Sequence, residues 1–285
     1  MSAVRCVWAL GATLGEGPLW SAREQALYFV DLKGQAVHRY TPATGATASW
    51  SMPEPIGWVI ERAQAPGFIA GFRSGFALLE LDPVTIRSIG DPEPEHPGNR
   101  LNDAKVDAWG RIWAGSMDDA EQAATGALHR LDPDLTWRRM DSGYQVANGP
   151  TFSPDGQTLF HTDSAQRTVY RFALDEAGEL GPREVFTVFG EEDGYPDGMT
   201  TDAEGGVWIA HWDGARVSRF TPDGRLDRAI ALPVSRPTSC AFGGPDLDRL
   251  FVTSAAIGKP DEALAGGLFE VDPGVRGLPA GAFAG

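Results

Sequence analysis

The chain has 285 residues, with 35 glycines, 21 prolines and a formal net charge of −15 from 24 Lys+Arg against 39 Asp+Glu. That acidity argues against a nucleic-acid partner, because phosphate binding needs a basic surface. No stretch keeps helical apolar spacing beyond a turn or two, and none approaches the roughly 20 apolar residues of a membrane-spanning helix.

The chain opens on MSAVRCVWALGATLGEGP, which lacks a charged leader followed by an apolar region. Two cysteines, Cys6 and Cys240, are too few for a disulfide framework and fit a reducing compartment. A cytoplasmic protein without a membrane partner is the expectation. Nine Trp and fourteen Phe supply a large core.

After the strand-like VRCVWAL, short β-rich runs alternate with Gly, Pro and Asp clusters. One unit of apolar strand, turn and alternating strand begins at Leu27 as LYFVDLKGQAVHRYTP and returns at Phe68 as FIAGFRSGFALLELDP. It recurs at Ile112 (IWAGSMDDAEQAATGALHRLDP), Leu159 (LFHTDSAQRTVYRFAL), Val207 (VWIAHWDGARVSRFTP) and Leu250 (LFVTSAAIGKPDEALAGGLFEVDP). A separation of roughly 40–50 residues is the period of propeller blades with several strands each. DAWGRIW, SPDGQTLF and DAEGGVW read as hairpins with Asp- and Gly-rich turns. A β-sandwich does not require similar units, and a β-helix would need much shorter coils. The prediction is therefore an all-β, six-bladed β-propeller, one domain over residues 1–285. The N-terminal strand is expected to complete the last blade and remove an open edge.

Four blades are expected to carry oxygen-bearing residues just before their first strand: Glu16-Gly17-Pro18, Asn102-Asp103-Ala104, Asn148-Gly149-Pro150 and Asp197-Gly198-Met199. The matching segments of the second and sixth blades, EPIGW and SRPTS, lack this signature. The first strand of a blade lines the central channel, so equivalent repeat positions converge on one mouth. An oxygen-only donor set suits Ca²⁺, Mg²⁺ or Mn²⁺ better than structural zinc. Asn-Gly and Asp-Gly are also ordinary turn pairs, but Glu-Gly is not, and all share one phase of the repeat.

LGEGPLW, NRLNDAKVDAWGRIWAGSM, NGPTFSPDGQTLFHTDS, YPDGMTTDAEGGVWIAHW and FGGPDLDRLFVT together resemble the regucalcin/gluconolactonase (senescence-marker-protein) family, from about Gly15 to Asp272. Within that family the chain looks most similar to bacterial sugar-acid lactonases. The resemblance implies a six-bladed propeller that hydrolyses an aldonolactone, such as xylono-, arabinono- or gluconolactone, to the aldonic acid. It implies one divalent metal ion (Ca²⁺, Zn²⁺, Mg²⁺, Mn²⁺ or Fe²⁺) on Glu16, Asn148 and Asp197. Arg100 and Asn102 are implied substrate contacts, and Asp197 the catalytic acid/base. A further substrate-contacting acid of some members aligns with Ala120, between Asp119 and Glu121.

Other candidates carry weaker signals. His161 and His211 are expected on blade strands, either lining the channel or hydrogen-bonded within a blade. Trp58, Trp113, Trp208 and Trp212 suit sugar stacking or the core between blades. GDPEPEHPGNR, ahead of Leu101, reads as a lid or a solvated linker. Two alternatives to a lactonase are a related metal-dependent esterase or organophosphate hydrolase, and a non-catalytic calcium-binding propeller.

Overall fold

A computed structural model describes residues 4–285. It contains six four-stranded antiparallel sheets, each a meander except the last. In that sheet the N-terminal strand Val4–Trp8 lies outermost, pairing with Leu268–Val271 through Val4↔Val271 and Cys6↔Phe269. The inner strands are Gly15–Ser21, Ile56–Glu61, Asn99–Val106, Ala147–Phe152, Tyr195–Thr201 and Pro237–Gly243. Each neighbours the next, and the last returns to the first, so six blades close around one axis. This is the predicted β-propeller.

Burial explains why strict alternation fades in the second strands. Ala26–Asp31 is buried at every position, because the sheet is covered by blades on both faces. The outermost strand Val84–Gly90 is exposed or half-buried throughout. Apolar clusters fill the spaces between blades. Tyr28, Val30 and Val37 meet Ile56, Val59 and Phe68 between the first and second blades. Trp20, Leu27 and Phe29 meet Phe251 and Leu268 where the ring closes. Each large side chain buried this way contributes about 1.5–3 kcal/mol.

Two of the predicted hairpins carry a polar knot that locks a tryptophan into this core. In DAWGRIW, Asp107 Oδ1 accepts from the Trp109 and Arg111 amides, while Oδ2 accepts from Trp113 Nε1 at 2.8 Å and Arg111 Nε at 2.6 Å. In DAEGGVW, Asp202 bonds the Glu204 and Gly206 amides and Trp208 Nε1 in the same way. Gly206 has no side chain to supply the guanidinium, so Arg219 reaches in from the adjacent strand, with Nε 2.6 Å from Asp202 Oδ2. Trp58, Trp113 and Trp208 are all core residues. Removing Asp202 leaves Trp208 Nε1 without its acceptor in the core and leaves the Arg219 guanidinium only Glu204 and Asp227 as partners. Asp202→Ala is expected to cost about 1–3 kcal/mol, read as a lowered urea midpoint; an unchanged midpoint would show that the knot does not hold the tryptophan.

The C-terminal residues cross the channel's far end. Gly277 bridges to Asp202, Phe283 bridges to Arg62, and the Ala284 amide donates to the Gly110 carbonyl. Phe283 is fully buried. Leu278–Gly281 cover a cavity of about 310 Å³ beside Trp58, Phe152 and Phe242. No helix is long and apolar enough to cross a membrane.

Candidate active site

The opposite mouth holds a cavity of about 480 Å³ lined by Glu16, Arg100, Asn102, Asn148 and Asp197 together with Glu121, Gln145, Ser164, Tyr195, Trp212 and Asp213. All five residues singled out from the repeat and the resemblance share this one cavity. They do not precede the inner strands but lie within them, at a common irregularity. Pairing with the second strand slips between Glu16 and Leu19, Leu101 and Ala104, Asn148 and Thr151, and Pro196 and Met199. A bulge re-aims side chains locally, which is why polar groups can face the mouth in the middle of a strand.

The glycines after Glu16, Asn148 and Asp197 do more than turn the chain. Gly17 and Gly149 adopt φ of +52° and +67°, a left-handed region open to glycine. Gly198 instead serves close packing, since a Cβ there would lie 2.1 Å from Ser239 Oγ in the next blade. Sequence spacing exposed the pattern; only the ring of blades shows its second cause.

A hydrogen-bond chain orders the amides. Asn102 Nδ2 donates to the Ala147 carbonyl and to Asn148 Oδ1, both at 2.7 Å. Asn148 Nδ2 donates to Ser164 Oγ at 2.9 Å, and Ser164 Oγ donates to the Pro196 carbonyl, next to Asp197. These bonds turn Asn148 Oδ1 toward Asn102 and leave it a second lone pair. Both Nδ2 hydrogens of Asn102 are spent, so only its oxygen, which also accepts from Arg100, has capacity for a ligand. Ser164 closes the motif NGPTFSPDGQTLFHTDS, but the sequence does not single it out as a site residue, because its contacts to Asn148 and Pro196 are made only in the folded ring.

The carboxylates are electrostatically frustrated. Burial, then the Asp103 charge, pushes Glu16 up to about 8, against partial relief from the Gly17 amide, Arg100 and Lys105. Burial, then the charges of Glu16 and Asp103, holds Asp197 well above its ordinary value. Asp103 itself rises to about 6, chiefly through burial. Asp197 Oδ1 is buried with no hydrogen-bond partner. An oxygen without a donor, beside a second acid and an oriented amide oxygen, is the environment a hard cation relieves. Among the described residues, no three His, Cys, Asp or Glu side chains gather as metal ligands. A cation at this mouth would need a carboxamide oxygen beside the two carboxylates.

Other candidates separate clearly. His161 is fully buried against the Tyr144 ring, with centroids 4.6 Å apart, and desolvation lowers its pKa to about 3. His211 packs on Phe189 and places Nδ1 2.8 Å from the Asp193 carbonyl. Neither lines the cavity. Of the four tryptophans, Trp212 does, paired across the strand with Tyr195. The Arg236 guanidinium lies 4.5 Å from the Trp212 ring centroid. The segment from Gly90 to Arg100 is solvated at Asp91, Pro94, Glu95, Pro97 and Gly98 but anchored at Glu93 and Asn99. Glu93 is buried, accepts from Asn99 Nδ2 at 2.8 Å and pairs with His129 Nε2 at 3.2 Å, fastening the segment to the third blade. Asp119 bonds Arg100, and Glu121 lines the cavity, so the two acids flanking Ala120 divide the roles.

Fold and site together define a closed propeller with an oxygen-donor pocket on its axis. Residues 14–256 match the family described as the SMP-30/gluconolactonase/LRE-like region, and the chain belongs to that family. It is 37% identical to a 6-deoxy-6-sulfogluconolactonase of Pseudomonas putida, with 99% of each chain covered. It is 36% identical to a pentonolactonase of Haloferax volcanii, with 93% of each covered. A solved structure described as a calcium-binding protein, regucalcin, from Agrobacterium tumefaciens superposes with a TM-score of 0.93 at 26% identity, covering 99% of this chain and 97% of that one.

Proposed function

We propose that this chain hydrolyses a sugar lactone, an aldonolactone of the xylono-, arabinono- or gluconolactone type, to its aldonic acid. The carrying observation is Asp197, whose buried Oδ1 has no partner in a cavity shared with Glu16, Asn148 and Arg100. The lactonase names of two full-length relatives support the reaction class. Glu16, Asn148 and Asp197 would hold one divalent cation, an assignment that the calcium-binding description of a structural neighbour supports. When bound, such an ion supplies Lewis-acid polarisation of the lactone carbonyl.

The chain's own groups divide the remaining work. Asp197 takes the proton of the attacking water through its free oxygen, or returns one to the departing ring oxygen. Arg100 retains donors for a substrate hydroxyl or the ring oxygen. Asn102 offers one lone pair to a hydroxyl while bracing Asn148. Tyr195 and Trp212 give the sugar an apolar wall. The reading places the protein in the cytoplasm as a single domain, in keeping with two free thiols, Cys6 and Cys240. Its partner is the small-molecule lactone rather than nucleic acid or membrane.

A pH-stat assay of D-xylono-, L-arabinono-, D-glucono- and D-galactonolactone across Ca²⁺, Mg²⁺, Mn²⁺, Zn²⁺ and Fe²⁺ tests this. At least one lactone should turn over well above its spontaneous rate. Uniform inactivity with every ion would end the proposal.

A further inference from the structure

Among the described residues lining the cavity, Arg100 alone is cationic, against Glu16, Glu121, Asp197 and Asp213. Its side chain is only 4% exposed, so its orientation is set by what it bonds. Nε donates to Asp119 Oδ1 at 2.7 Å, and Nη1 donates to the Leu101 carbonyl and to Asn102 Oδ1. Nη2 makes no hydrogen bond to another described residue, which leaves it as the donor for a ligand.

Asp119 follows the second strand of the third blade, Ile112–Asp118, and its amide donates to the Gly98 carbonyl. The same Oδ1 that takes Arg100 Nε also accepts from Lys33 Nζ at 2.7 Å. Lys33 belongs to the turn between Ala26–Asp31 and Ala36–Thr41 of the first blade. The contact thus spans the head of the second blade, which supplies none of the oxygen donors. Burial pushes the Asp119 carboxyl up, but hydrogen bonds from Lys33 and Arg100 outweigh it and hold the group below the usual range. It stays ionised, as a charge-assisted acceptor should.

We infer that Asp119 is a positioning residue, and that the Lys33–Asp119–Arg100 chain clamps the guanidinium so that Nη2 is presented to the lactone. This rests on the lactonase reading for its substrate, but the clamp is testable without one. Asp119→Ala is expected to raise KM for the best lactone about tenfold with kcat held within about threefold, the mark of lost uniform binding. Lys33→Met should raise KM about two- to fourfold, Lys33→Arg should restore it, and Lys33→Met should add nothing to Asp119→Ala. A purely structural pair would lower the melting temperature and leave KM alone.

The second readout is the Arg100 Nε–H resonance in the full-length protein without lactone. It should be protected from exchange in the wild type and lose protection in both Asp119→Ala and Lys33→Met. That pattern in a protein hydrolysing no lactone would retire the lactonase reading and uphold the clamp. An unprotected wild-type resonance, or unchanged KM and unchanged protection in folded Asp119→Ala, overturns the clamp. If Asp119→Ala does not fold, Lys33→Met, at an exposed position, decides by the same two measurements.

Discussion

Asp197→Asn is expected to lower kcat by about 10²–10⁴-fold, the usual worth of a positioned general acid–base group. The substitution keeps the size of the side chain and one oxygen for a cation, but removes the group that accepts a proton. Asp197 shares its cavity with Glu16, Asn148 and Arg100, and its two carboxylate oxygens can divide between a cation and the proton. A metal-bound carboxylate is a weak base, so one oxygen must stay free for the proton. Initial rates on the best lactone, with cation binding followed by calorimetry, separate the two roles. Wild-type turnover with normal cation affinity would take Asp197 out of the chemistry.

Chelation of the cation is expected to abolish hydrolysis and to lower the melting temperature, most at alkaline pH. Glu16 is raised from its ordinary 4.5 to about 8, and Asp103 from 3.8 to about 6. Across those intervals the metal-free native state keeps protons that the unfolded chain has released. Unfolding then releases protons, so stability falls as pH rises and levels off only above the folded pKa values. A cation takes the place of those protons, and its affinity therefore grows with pH. At a free concentration 100 times its Kd, binding contributes about 2.7 kcal/mol. Thermal melts at about pH 5.5 and about pH 8, with and without chelator, read this linkage. A chelated protein whose stability is flat or rising over that window, with activity intact, would contradict the site.

The repeat was legible because blade architecture stamps the same strand-and-turn grammar on each segment. LYFVD, IWAGS and VWIAH read as the opening strands of the repeat, whereas the structure makes them the second strands of their blades; the phase shared by Glu16, Asn148 and Asp197 announces convergence on one mouth. Chain-local chemistry also marks the Asp107 and Asp202 hairpins. Everything that depends on which blade faces which was hidden. The bulges that aim the donors show only in the pairing register, and Gly198 reads as a turn residue until Ser239 is seen against it.

Sequence alone therefore determined the architecture, the family and the five polar residues of one mouth, since repeat period and motif order survive in a single dimension. Tertiary structure decided that, of the two acids flanking Ala120, Asp119 engages Arg100 while Glu121 lines the cavity, that Lys33 reaches Asp119 from another blade, and that His161 and His211 are buried away from the cavity. The reason is physical. Hydrogen bonds and desolvation act across gaps of a few ångströms between segments far apart along the chain, and no local pattern encodes those distances.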